Sequence, residues 1–64
     1  MISGTIKNWN PSQGWGFIEG EDGEDYFFHA SKIRSGQSIC NKSRVKFDVF
    51  QGQRGPEAQN VTLY

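Results

Sequence analysis

The chain has 64 residues and no net charge, 7 Lys and Arg against 7 Asp and Glu. That length implies one domain, 1–64, which buries only about 60% of the surface its unfolded form exposes. It has no apolar run of about 20 residues to span a membrane and no secretory start. The lone Cys40 excludes an internal disulfide and points to a reduced, cytoplasmic setting, and one His with one Cys excludes a structural zinc site.

The pattern predicts five strands and no helix. Ile2-Gly4-Ile6 alternates with Ser3-Thr5-Lys7, the period of a half-buried first strand. Asn10 to Gly14 is a turn cluster, and Trp15 to Ile18 starts a second strand. Asp22-Gly23 marks a tight hairpin. Tyr26 to His29 is a third strand. Residues 31–43 read as a short turn and a long loop. Arg44 to Val49 alternates polar and apolar as a fourth strand. Gln51 to Pro56 is a turn, and Ala58 to Leu63 a fifth strand. Five short strands avoid exposed edges by closing on themselves. The expected fold is an all-β, five-stranded antiparallel OB-fold Greek-key barrel, with an SH3-like barrel second.

Nine of the residues are aromatic, more than so small a core needs. Strand parity places Ile2, Ile6, Ile18, Val45, Phe47, Val49, Val61 and Leu63 inside, joined by Phe28 and Tyr26. It places Trp9, Trp15, Phe17, Phe27 and His29 together outside. An exposed cluster of flat rings marks a binding site. Nucleobases suit it, because every base has a π-face to stack. Lys7 shares this face and can meet a phosphate. Arg54, in the last turn, can stack on or pair with the same ligand. The acids from Glu19 to Asp25 read as a solvated hairpin that repels and orients a nucleic-acid backbone. The set has no cofactor signature: the acids do not form a calcium loop, and no nucleophile elbow or paired carboxylates suggest an enzyme.

Gln13-Gly14-Trp15-Gly16-Phe17-Ile18 resembles the first ribonucleoprotein motif of the cold-shock domain family. Asp25-Tyr26-Phe27-Phe28-His29-Ala30-Ser31-Lys32-Ile33 is similar to its second motif, and Arg54 to Val61 to its closing strand. Gly4-x-Ile6-Lys7 and Asn10 also fit, so the resemblance runs nearly end to end. RNA-recognition motifs share a related first motif but need helices and the opposite motif order. The resemblance implies a barrel that binds single-stranded RNA and DNA and holds strands open as an RNA chaperone. It implies Trp15, Phe17, Phe27 and His29 as stacking residues and Lys7 as a backbone contact, with Trp9 at a position where the family usually has a ring.

Some positions depart from the family pattern. Its strand-one tryptophan is Asn8 here, the ring after the histidine is Ala30, and the lysine before the first motif is Gln13. The long loop has no aromatic, leaving Ile39 as an apolar substitute. Two lost stacks at about 1–3 kcal/mol each imply weaker binding than is typical of the family, or a shorter footprint. Stacking does not distinguish RNA from DNA. A monomer is expected, with a domain-swapped dimer as the alternative through the long loop. The competing functional class is a β-barrel protein-interaction module that docks a partner on the same rings.

Overall fold

The structure, a computed structural model, describes residues 1–34 and 38–64. Its strands are β1 (Ile2–Asn10), β2 (Trp15–Gly20), β3 (Asp25–His29), β4 (Arg44–Gly52) and β5 (Gly55–Leu63). They close into a barrel in the order β1-β2-β3-β5-β4. No helix among the described residues is long and apolar enough to cross a membrane.

The three hairpins form where the turn chemistry puts them. Gly14, Gly23 and Gly55 all take positive φ, the conformation a side chain disfavours. The last turn is tighter than the sequence pattern suggests. β4 and β5 extend to the pair Gly52↔Gly55, so only Gln53 and Arg54 lie outside the ladder. One seam departs from the antiparallel expectation. β5 runs parallel to β3 at Phe27↔Glu57, and the Ile33↔Val61 bridge continues that direction. After β3 the chain crosses to pair β4 with β1, and the β4–β5 hairpin then lays β5 along β3. That crossing contains the expected long loop, of which 35–37 lie outside the described residues. It begins with a 3-10 turn at Ala30–Lys32.

Ile6, Ile18, Tyr26, Phe28, Val45, Phe47, Ala58 and Val61 are buried, and Ile2 and Leu63 pack against them half-buried. Val49 corrects the expected core, being 40% exposed. β1 reaches β4 only from Thr5↔Arg44 to Ile2↔Phe47. Beyond Phe47, β4 therefore has no β1 neighbour to cover Val49.

Two asparagines reset the alternation. Asn60 takes φ 54°, between the pairs Lys46↔Thr62 and Asp48↔Gln59. This bulge gives β5 an extra residue, so Ala58 and Val61, three apart, both point inward. Asn8 also takes φ 54°, between Lys7↔Phe17 and Asn10↔Trp15. Asn8 and Trp9 together oppose the single residue Gly16. Strict alternation would turn Trp9 outward with Lys7, but the bulge turns it inward. Its ring stacks on buried Phe28, centroids 5.3 Å apart and planes 17° apart. A Cβ on Gly16 would stand only 3.0 Å from the Trp9 ring and 3.1 Å from Phe28. Trp9 is thus a core-side ring, a correction to its expected place among the exposed ones.

Candidate nucleic-acid interface

The outer face of β2 and β3 is built from cross-strand pairs. Trp15 opposes His29, Phe17 opposes Phe27, and Glu19 opposes Asp25. The alternate residues Gly16, Ile18, Tyr26 and Phe28 are buried beneath them. Three of the outer rings touch. Trp15 and Phe27 lie nearly parallel, 24° apart at 6.5 Å. Phe17 meets both edge-on, at 6.0 Å from Trp15 and 5.8 Å from Phe27. Such pairs hold one another in place without a covering layer.

Arg54 reaches this group from the β4–β5 turn. Its guanidinium carbon lies 4.7 Å from the Phe27 ring centroid, a cation–π contact. Trp15, Phe17, Phe27, His29 and Arg54 line a hollow of about 240 Å³. The structure therefore brings these five expected residues together and leaves Trp9 out.

Neighbouring groups fix the orientation. The Trp15 indole Nε1–H donates to Gln13 Oε1 at 3.0 Å, a positioning contact that sequence reading missed. His29 Nδ1 accepts from the Ser31 N–H at 3.1 Å. In the neutral imidazole this leaves Nε2 as the donor. Lys7 pairs with Phe17 across β1 and β2, so it borders the rings. Its Nζ lies 3.0 Å from Asp25 Oδ2, with both side chains well exposed. Such a pair is worth only about 0–1 kcal/mol, so a phosphate can compete for the lysine.

Glu19 and Asp25 form an acidic border at the hairpin end of the ring patch. At the tip of that hairpin, the Tyr26 hydroxyl donates to Asp22 Oδ2 at 2.5 Å. The bond holds the Asp22 carboxyl below its usual range. The same bond, with burial, pushes the Tyr26 phenol up to about 12. Of the strand-four bases, Arg44 is engaged elsewhere. It pairs with Glu21 at 3.3 Å and lies over Tyr64. Ile39, the expected apolar substitute in the loop, packs against the core instead of joining the rings.

Phe50 is an outward ring that sequence reading left unassigned. It lies on the opposite face of β4 from Phe47, and that parity was the available signal. Lys32 Nζ sits over its ring, 5.2 Å from the centroid.

Residues 2–64 match the family model described as the 'Cold-shock' DNA-binding domain. The chain belongs to the cold-shock domain family. Among its relatives, it is 48% identical over 63 residues to cold shock protein CspC of Bacillus subtilis (strain 168), covering 95% of this chain and 96% of that protein. It is 44% identical over 64 residues to the major cold shock protein of Streptococcus pyogenes serotype M1, covering 97% and 96%. The barrel is also similar to the solved structure of Drosophila Unr CSD456, with a TM-score of 0.82 and 25% identity. That superposition covers 98% of this chain and 26% of the larger protein. The barrel is accordingly the OB-fold of a cold-shock domain, a nucleic-acid-binding fold.

Proposed function

We propose that this cold-shock domain binds single-stranded RNA or DNA by stacking bases on Trp15, Phe17 and Phe27, with little sequence specificity. His29 and Arg54 flank the stacked bases, and Lys7 and Arg54 meet phosphates. The domain acts in the cytoplasm, without catalysis, as an RNA chaperone that keeps strands unpaired. The observation that carries this reading is the group of three mutually packed rings on the outer face of β2 and β3, crossed by one guanidinium. The rings take no part in the buried core, so their stable arrangement there is explained best by a flat ligand.

The chain is electrically neutral overall. Stacking rather than charge therefore supplies most of the affinity. Two or three neutralised phosphates give a log–log salt slope of about −1.5 to −2 on single strands. Tryptophan fluorescence during titration with oligothymidine, against a duplex control and at two salt concentrations, tests the proposal. Saturable quenching by the single strand alone is expected. No quenching, together with concentration-dependent self-association, would favour the protein-docking reading instead.

A further inference from the structure

We propose that Phe50, with Lys32, forms a further base-stacking subsite that continues the ring platform onto β4. The inference rests on the proposed single-strand reading of that platform and adds to it a residue outside both ribonucleoprotein motifs.

The register sets the geometry. Phe27 pairs with Glu57 on β5, and Glu57 pairs with Phe50 on β4. The two phenylalanines therefore stand in one row on the outer face. They are two strand spacings apart, about 10 Å. A hollow of about 450 Å³ joins them, lined by Phe27, His29, Lys32, Phe50, Arg54 and Glu57 among others. Phe27, His29 and Arg54 also line the first hollow, so the surface is continuous. A strand lying on Phe27 passes onto Phe50 without leaving it.

The chemistry of the second hollow suits a polyanion carrying flat groups. Phe50 has no place in the core, whose positions on β4 are filled by Val45 and Phe47. The ring is half-buried and covered by the Lys32 ammonium. Lysine is a point charge on a flexible stem. It can swing from the ring to a phosphate and free the face for a base. Glu57 brings a carboxylate to this lining, and its Oε2 already accepts from the Arg54 N–H at 3.1 Å. Two cations therefore face the ligand against one carboxylate tied into the turn. An apolar protein segment would leave those cations unpaired.

Oligothymidines of about 4 to about 12 nucleotides, the span of one OB barrel, separate the two hollows by length. They are titrated into the wild-type protein, Phe50→Val, Lys32→Gln and Phe27→Leu, each checked for folding by circular dichroism. Phe50→Val should bind the shortest strand as the wild type does and lose about 5- to 150-fold on longer ones. Lys32→Gln should make the salt slope on long strands less negative by about 0.7. Phe27→Leu should weaken every length. Wild-type affinity of Phe50→Val at all lengths would overturn the subsite and leave the platform standing. No binding by the wild-type protein at any length would overturn both. If Phe50→Val alters only self-association in sedimentation, the ring meets a second copy of the chain, and the subsite is refuted.

Discussion

Phe27 is the hub of the exposed rings, touching Trp15, Phe17 and Arg54. Phe27→Leu keeps an apolar side chain in β3 and removes the π-face. A base stacked there contributes about 1–3 kcal/mol. At about 1.4 kcal/mol per decade, Kd for oligothymidine should rise about 5- to 150-fold. The fold also loses two ring pairs, at about 0.5–1.5 kcal/mol each, and one exposed cation–π contact, at about 0.5–1 kcal/mol. Leucine restores part of that through its own packing, so a net loss of about 1–3 kcal/mol is expected. In a domain of this size each kcal/mol lowers Tm by about 4–8 °C. Calorimetric titration should therefore be run well below the lowered midpoint, with circular dichroism confirming the folded state. A folded Phe27→Leu protein with unchanged affinity would refute the reasoning, because among the described residues Phe27 alone contacts Trp15, Phe17 and Arg54 together.

Three further outcomes follow from the geometry. A Cβ on Gly4 would stand 2.6 Å from the Glu19 carbonyl oxygen and 2.6 Å from Ile18 Cγ2. Gly4→Ala should thus cost about 1–3 kcal/mol by overpacking, read as a lower Tm. Trp15→Phe should abolish the fluorescence response to oligothymidine while Trp9→Phe retains it, since only Trp15 lines the hollow. The Tyr26–Asp22 bond gives stability above the ordinary carboxylate value of 3.8, lost as pH falls through the lowered Asp22 value. On the alkaline side it is present below the ordinary phenol value of 10.0 and lost as pH rises through about 12. Asp22→Asn should move the Tyr26 ionisation back toward 10.0 in an ultraviolet titration, and an unmoved transition would exclude the bond as its cause.

Most of the barrel is legible because alternation on a pleated strand has only two faces. The pairs Trp15↔His29 and Phe17↔Phe27 follow from parity and one Asp-Gly turn. Trp9 does not follow, because its direction depends on the backbone of Asn8. Asparagine is among the few residues that tolerate positive φ. An asparagine inside an alternating run is therefore an ambiguous sign, and here Asn8 and Asn60 each insert a bulge. Val49 departs from its expected place for a different reason. Its parity agrees with that of Phe47, but burial also requires a neighbouring strand, and β1 stops short. The hydrogen bond from Trp15 to Gln13 and the Arg54–Phe27 contact depend on turn geometry. Phe50 was readable from its strand parity, yet only the pairing of β4 with β5, and of β5 with β3, places it beside Phe27.

The most direct measurement is an amide chemical-shift titration of the isotopically labelled protein with oligothymidine. Saturable shifts are expected on β2 and β3, at Lys7 and Lys32, and from Phe50 through the Gly52–Gly55 turn, with the Trp15 indole N–H moving and that of Trp9 nearly still. Shifts centred on the paired surface of β1 and β4, or none at all, would contradict it.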